Sequence, residues 1–184
     1  STFARLSGGA FHTCGIKLDG EVACWGGSEY GQASPPSGTF THISAGTFHT
    51  CGLKTDGTLA CWGRDDSEQS SPPAETFSQV SAGGGHTCGL RADGTLTCWG
   101  NDHDGQATPP TGTFSQVSAG SLHNCGLRTD GTLDCWGLDD DDQARQRLDQ
   151  PRNRHAAVAV RKRDVVDDAL LCRRGQQLRH ADDV

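Results

Sequence analysis

The chain has 184 residues, of which 33% are hydrophobic and 21% charged, with 25 glycines, nine cysteines and no methionine. Residues 1–144 carry 6 Lys or Arg against 17 Asp or Glu, whereas residues 145–184 carry 10 against 6, so an acidic part precedes a basic one. An acidic surface repels nucleic acid, and a bilayer-spanning helix needs about 18 or more consecutive apolar residues, which the sequence lacks. These properties argue against nucleic-acid binding through residues 1–144 and exclude a transmembrane helix.

The sequence repeats itself every 37 residues, in four tandem copies at 3–39, 40–76, 77–113 and 114–144. The recurring residues are Phe3, Phe40, Phe77 and Phe114; His12, His49, His86 and His123; and Trp25, Trp62, Trp99 and Trp136. A period of this length marks an array of supersecondary units, each of which buries its apolar face only against a neighbour. Gly, Pro, Thr and Asp recur at intervals too short for helical repeats, so the units are all-β.

The second copy shows the predicted strands most clearly. Residues 40–46, FTHISAG, alternate apolar and polar side chains in the manner of a half-buried strand. Two further strands are predicted at 49–54, HTCGLK, and at 58–63, TLACWG. Each copy is therefore predicted to be a blade of about three antiparallel strands.

The connection between the last two strands decides which side chains meet. A two-residue loop of Asp56 and Gly57 would place Cys51 opposite Trp62. A three-residue loop with a left-handed Gly57 places Leu53 opposite Leu59 and Cys51 opposite Cys61. Only the second register gathers the bulky apolar residues on one face, so it is the one predicted for every copy.

This register predicts a disulfide within each hairpin, because directly opposed Cβ atoms in an antiparallel pair lie about 4.5–5.5 Å apart. The pairs are Cys14 with Cys24, Cys51 with Cys61, Cys88 with Cys98, and Cys125 with Cys135. Histidine and cysteine are also zinc ligands, but the copies lack the paired C-x-x-C spacing of strong zinc motifs. Disulfides at this density are typical of an oxidising compartment, so we expect an exported protein in the periplasm, at the cell surface or outside the cell.

The opposite face of each hairpin is small except for its tryptophan, as in Gly52 and Ala60. A sheet that is bulky on one face and small on the other can nest against a copy of itself, and radial stacking of such sheets gives a propeller. The histidine that recurs in every copy is expected to have a structural role, such as a hydrogen bond to the backbone of the neighbouring blade.

The repeated pattern VSAGxxHTCGLRxDGTLxCWGxDxxGQ resembles the repeat of the regulator of chromosome condensation family, in the cysteine-bearing form of bacterial exported members. It is also similar to the repeats of the propeller-shaped β-lactamase inhibitor protein of the same superfamily. The resemblance covers residue 3 to about residue 144. It implies a β-propeller, and because family members close seven blades, it implies that this chain supplies part of one.

Residues 145–184 do not repeat, and they hold nine arginines and the unpaired Cys172. One interpretation is a solvated, partly helical or disordered tail. The other is an out-of-frame translation of a fifth repeat. Cys172 is predicted to be free or to pair between chains.

We expect a protein-binding scaffold with no catalytic activity, no cofactor and no metal, because no catalytic constellation departs from the repeat. The loop Asn101, Asp102, His103, Asp104, Gly105 is similar to a calcium loop but lacks the distal Glu, which favours an ordinary solvated loop.

Partner contacts are predicted at variable positions before each histidine and after each Trp-Gly, with the exposed anchors Phe11, Tyr30, Phe48 and Leu122. The alternatives are inhibition of an exported β-lactamase or transpeptidase, guanine-nucleotide exchange by family analogy, or a truncated non-functional product. Further blades from the same or another chain are a further candidate partner.

Overall fold

The computed structural model describes residues 2–138, which form twelve β-strands in four three-stranded antiparallel sheets. Blade 1 contains β1 (Phe3–Gly8), β2 (His12–Lys17) and β3 (Val22–Gly26); blade 2 contains β4 (Phe40–Ala45), β5 (His49–Lys54) and β6 (Leu59–Gly63). Blade 3 contains β7 (Gln79–Ala82), β8 (His86–Leu90) and β9 (Leu96–Gly100); blade 4 contains β10 (Phe114–Ala119), β11 (His123–Arg128) and β12 (Leu133–Gly137). The predicted all-β, four-blade architecture is confirmed. The predictions for residues 145–184 and Cys172 lie outside the described residues.

The hairpin register is the predicted one, as blade 2 shows. Leu53 pairs with Leu59 and Cys51 with Cys61, and the three-residue loop has Gly57 at φ 84°. The Asp56 carboxylate accepts hydrogen bonds from the backbone N–H of Thr58 at 2.9 Å and from its hydroxyl at 2.7 Å. These bonds lower the pKa of Asp56, the hydroxyl bond having the largest effect. A short polar side chain and a glycine therefore fix the loop that sets the register.

All four predicted disulfides are present, one in each blade. Their Cα–Cα distances are 4.0–4.1 Å. Such short distances are typical of the closely spaced, non-hydrogen-bonded positions of an antiparallel ladder. Each disulfide ties the second strand of a blade to the third, and the sulfur of Cys14, Cys51 and Cys88 is buried within the core.

Each blade presents two different faces to its neighbours. The leading face of a blade bears the disulfide and the pair of aliphatic residues next to it on the second and third strands. The trailing face bears the Phe and an aliphatic residue (Leu, Ile or Val) of the first strand, together with the Trp of the third strand. Cys14 and Ile16 on the leading face of blade 1 pack against Phe40, Ile43 and Trp62 on the trailing face of blade 2. The same packing recurs between blades 2 and 3 and between blades 3 and 4.

The bulky face of one blade packs on the small hairpin face of the next, as predicted: blade 1 contacts Thr50, Ala60 and Trp62 of blade 2. A phenylalanine of the first strand adds to this face. The space above Gly52 is filled by Phe40 of the same blade, and a Cβ added to Gly52 would lie 2.5 Å from the Phe40 ring. The first strand thus lays its phenylalanine over the glycine of the second strand, and that ring then contacts the preceding blade. Pairing only the second and third strands could not reveal this, because the phenylalanine comes from the first.

No helix in the described part of the chain has the length and apolar character needed to cross a lipid bilayer.

Candidate functional site

Three aromatic side chains of blades 1 and 2, Phe11, Tyr30 and Phe48, lie where two kinds of loop meet. Phe11 and Phe48 occupy equivalent turns between the first and second strands. The backbone carbonyl of Phe11 accepts from the N–H of Gly27, and that of Phe48 accepts from the N–H of Arg64, both at 2.8 Å. These bonds hold each turn against the segment that follows the third strand of its blade.

Tyr30 reaches blade 2 because its loop is anchored there by Gln32. The Gln32 side chain is buried, and its Oε1 accepts from the backbone N–H of Tyr30 at 2.9 Å. The Gln32 carbonyl accepts from Nε1 of Trp62 at 2.8 Å and from the hydroxyl of Thr50 at 3.2 Å. One residue of blade 1 is therefore fixed to two residues of blade 2, and Tyr30 is carried with it.

The three rings form a contiguous cluster. Phe11 stacks on Phe48 with 5.0 Å between ring centroids, and Tyr30 meets Phe48 edge-on at 5.3 Å. Phe11 is 58% exposed and Tyr30 46% exposed, whereas Phe48 between them is half-buried. The guanidinium carbon of Arg64 lies 5.3 Å from the centroid of Tyr30 and 5.8 Å from that of Phe48, within the range of a cation–π contact. We call Phe11, Tyr30, Phe48 and Arg64 the aromatic patch.

Arg64 is held in place by its own loop. Its Nε and Nη2 donate to one carboxylate oxygen of Asp66 at 2.9 and 2.5 Å, and these bonds lower the pKa of Asp66. The neighbouring Asp65 accepts from the backbone N–H of Ser70 and from the hydroxyl of Ser71, both at 2.7 Å. The patch is therefore built on a hydrogen-bonded loop, with the Arg64–Asp66 ion pair at its edge.

The repeated histidines connect the blades through side chains, not through the backbone as expected. Nε2 of His12 lies 2.6 Å from the hydroxyl of Thr50, that of His49 lies 2.8 Å from the hydroxyl of Thr87, and that of His86 lies 2.7 Å from Oδ1 of Asn124. The hydroxyl of Thr50 already donates to the Gln32 carbonyl, so it must accept from Nε2–H of His12. The predicted contact with the neighbouring blade is present, but the acceptor is a side-chain atom. It belongs to the residue directly after the histidine of that blade.

These histidines are neutral. Burial lowers the pKa of His12 and His86, and it lowers that of His49 to about 4. The Nδ1 atoms of all three are buried without a hydrogen-bond partner, as expected for a ring whose proton is on Nε2. Packing and interblade hydrogen bonding account for these side chains, and they contact no open cleft.

The model of the "Regulator of chromosome condensation (RCC1) repeat" matches residues 3–32, 40–69, 77–106 and 114–143. The chain belongs to this repeat family. Comparison with curated protein sequences gives no significant match. The first three matched segments end at Gln32, Gln69 and Gln106, whose carbonyls each accept from the tryptophan Nε1 of the next blade.

Solved structures confirm the propeller fold of this RCC1-repeat chain. The ectodomain of the receptor kinase CR4 from Physcomitrella patens is similar at 31% identity and a TM-score of 0.64, over 73% of this chain and 39% of its own. The CRINKLY WD40 ectodomain of the Arabidopsis thaliana receptor kinase ACR4 is similar at 30% identity and 0.63, over 74% and 50%. Yeast RCC1 (Prp20), solved bound to Kap60, has a TM-score of 0.66 at 18% identity, over 74% and 44%. This chain spans half or less of the length of these proteins.

Three of the four predicted contact residues of this RCC1-repeat chain lie together, and one does not. Phe11, Tyr30 and Phe48 form the patch, although Phe48 is less exposed than predicted because the other two rings cover it. Leu122 is exposed at the equivalent turn of blade 4, beyond blade 3, where the equivalent residue is Gly85. Arg64 was missed, although the sequence carries a signal for it. It is a cation at the position directly after Trp-Gly, where the other copies have Gly27, Asn101 and Leu138.

The loop that is similar to a calcium site uses its oxygens for its own structure. Asp102 accepts from the N–H of Ala107 and the hydroxyl of Thr108, both at 2.7 Å, and Asn101 accepts from the N–H of His103 at 2.9 Å. Within residues 2–138, no three His, Cys, Asp or Glu side chains lie close enough together to hold a metal ion.

An open groove runs beside the hairpin loops of blades 2 and 3, lined by Thr58, Pro73, Glu75 and Arg91 among others. Its two main charges neutralise each other, because Arg91 donates to both carboxylate oxygens of Glu75 at 2.6–2.9 Å. The groove therefore presents a satisfied ion pair and no reactive group, and the aromatic patch is the more distinctive surface.

Proposed function

We propose that this chain is an exported, non-catalytic protein-binding scaffold, and that it contacts its partner through the aromatic patch. The observation that carries the proposal is the exposed ring cluster of Phe11, Tyr30 and Phe48 with Arg64 at its edge. Tyrosine and arginine are enriched among the residues that dominate binding energy at protein interfaces. Phenylalanine and methionine are likewise enriched at interface cores.

The side chains of the patch are held by contacts within the chain itself, which favours binding. Phe11 and Phe48 are stacked on each other, Tyr30 is anchored through Gln32, and Arg64 is held by Asp66. Ordering a mobile side chain at an interface costs about 0.5–1.5 kcal/mol, and here much of that ordering is already present in the free protein.

Two observations support export. Each blade carries a disulfide, and disulfides persist in oxidising compartments. The similar structures at 30–31% identity are ectodomains of receptor kinases.

Two structures of the yeast family member show the same fold, but they do not decide between a binding role and nucleotide exchange. Yeast RCC1 was solved bound to Kap60, and a second structure of Prp20p is described with binding properties to Gsp1p and histones. These proteins are only 18–19% identical to this chain, so the likeness carries the fold alone. Guanine-nucleotide exchange would also require a partner that works in a reducing compartment, which the disulfides disfavour.

The proposal is tested by capturing partners from the culture medium or periplasm of the source cells with the purified, oxidised chain as bait. The test variant is Phe11→Asp with Tyr30→Asp, which places charge on the two exposed rings of the patch. The matched control is Leu18→Asp, because Leu18 is exposed in the hairpin loop of blade 1, outside the patch.

We expect a protein that binds the wild type and the control but not the double variant, with affinity reduced about 30-fold or more, as for loss of interface anchors worth about 2 kcal/mol or more. Equal capture by all three baits would show that the patch is not the contact surface. Capture by none would contradict the binding role itself. Circular dichroism of the three proteins checks that all are folded.

A further inference from the structure

The trailing face of blade 1 has the same kinds of residue as the other three trailing faces but is uncovered. Phe3, Leu6 and Trp25 on this face are 39%, 65% and 47% exposed. Their counterparts in blade 2 are Phe40, Ile43 and Trp62, all of them buried at 9% exposure or less. Phe3 and Trp25 nevertheless have the same ring arrangement as the covered pairs, with centroids 5.8 Å apart against 6.1 Å for Phe40 and Trp62. The face is preformed in the shape that elsewhere receives a blade.

The polar atoms of this face are also preformed and unused. In blades 2 and 3 the Trp Nε1 and the Thr hydroxyl both donate to the glutamine carbonyl of the preceding blade. The equivalent groups in blade 1 are Nε1 of Trp25 and the hydroxyl of Thr13, and neither has a side-chain hydrogen bond within residues 2–138. Apolar area and hydrogen-bonding groups therefore both indicate a further blade of the same type as the occupant, since three interfaces of the molecule show what covers such a face.

The chain itself carries a suitable occupant on blade 4. The leading face of blade 4 contains the Cys125–Cys135 disulfide, Leu127 and Leu133, the same set that covers the trailing faces of blades 2, 3 and 4. Leu133 is exposed and Leu127 is half-buried, whereas the residues equivalent to Leu127 are buried, namely Ile16, Leu53 and Leu90. One molecule thus holds both halves of an interface it already makes three times.

We propose that the trailing face of blade 1 binds the leading face of blade 4 of a second copy of this chain. The contact is heterologous, because one copy contributes blade 1 and the other contributes blade 4. It repeats the interblade packing between two molecules and does not involve the aromatic patch, so it is independent of the proposed binding function.

The test measures the mass of the oxidised 184-residue chain by sedimentation equilibrium over a range of concentrations. We expect the wild type to associate, and Leu6→Glu to weaken association about 100-fold or more, because it would bury an unpaired carboxylate. The matched control is Leu18→Glu, which introduces the same charge at an exposed leucine of the hairpin loop and should associate like the wild type. Leu6 is so exposed that the variant should melt at the same temperature as its control when both are measured at a concentration low enough for the control to be monomeric.

A mixing experiment identifies the two faces. Leu133→Glu should also prevent association, since it alters the leading face of blade 4. A mixture of the Leu6→Glu and Leu133→Glu variants should associate again, because the first retains an intact blade 4 face and the second an intact blade 1 face. A wild type that stays monomeric up to about 100 μM would overturn the proposal, since specific complexes form well below that concentration. Association of the Leu6→Glu variant would also overturn the proposal. If Leu6→Glu prevented association and Leu133→Glu did not, two blade 1 faces would be paired, and the proposal would be wrong.

Discussion

The hydrogen bond between His12 and Thr50 can be tested by one substitution with a control that the repeat itself supplies. Thr50→Val keeps the shape of the side chain but removes the hydroxyl that accepts from Nε2–H of His12 and donates to the Gln32 carbonyl. Thr13→Val makes the same change at the equivalent position of blade 1, where the hydroxyl has no side-chain partner within the described residues.

The magnitude follows from what Thr50→Val leaves unpaired. The Gln32 carbonyl keeps its bond from Nε1 of Trp62, so the main loss is at His12, whose ring is buried. A change of tautomer gives no relief, because Nδ1 of His12 also lacks a partner. Leaving one buried donor unsatisfied costs about 1–3 kcal/mol, so we expect the free energy of unfolding to fall by about 2 kcal/mol. Thr13→Val should change it by less than about 0.5 kcal/mol, because Thr13 is only half-buried and its hydroxyl has no side-chain hydrogen bond to lose among residues 2–138.

Urea unfolding of both variants, followed by tryptophan fluorescence at low protein concentration, measures the difference. With a urea dependence of about 2 kcal/mol per molar, Thr50→Val should move the midpoint down by about 1 M while the slope is unchanged. Equal midpoints for the two variants would refute the claim that the interblade hydrogen bond stabilises the fold.

Two further perturbations test the same architecture. Acid should destabilise the protein between pH 6.5 and pH 4, because the unfolded chain takes up a proton at His49 near pH 6.5, whereas burial lowers the folded pKa to about 4. The contribution of His49 is therefore undiminished above pH 6.5 and falls by about 3 kcal/mol by pH 4. The lowered pKa values of His12 and His86 act in the same direction. Melting temperatures of the wild type and of His49→Asn across this range check it, and the profile of the variant should be flatter. Removal of one disulfide by Cys51→Ser with Cys61→Ser should lower the free energy of unfolding by about 2–3 kcal/mol. In a Cys172→Ser background the denatured, unreduced protein should show no thiol, and eight reactive thiols would contradict the disulfides.

Much of the fold could be predicted from side-chain alternation. The position of Gly57 in the loop fixed the parity of the hairpin, and parity placed Cys51 opposite Cys61 and Leu53 opposite Leu59. These are local facts, decided within about a dozen residues, so a single repeat contains the information. The family match and the strand order agree with them.

The packing between blades was less predictable because it depends on residues far apart along the chain. The second and third strands alone could not reveal that His12 donates to Thr50 or that Phe40 covers Gly52. The aromatic patch was found in part, since Phe11, Tyr30 and Phe48 vary among copies, but their contact depends on Gln32 bridging two blades. Arg64 was overlooked because a single cation after Trp-Gly has no periodic counterpart.

The interblade contacts join residues of one copy to residues of the next at a constant offset, as in His12 to Thr50 and His49 to Thr87. Recombination that removes one whole copy, such as residues 40–76, would bring His12 beside Thr87 and Gln32 beside Trp99, which are the same types of contact. Copy number can therefore change in steps of one period without loss of packing. The binding surface lacks this tolerance, because Phe48 and Arg64 would be deleted with that copy, so a lineage could gain or lose ligands while its architecture persisted.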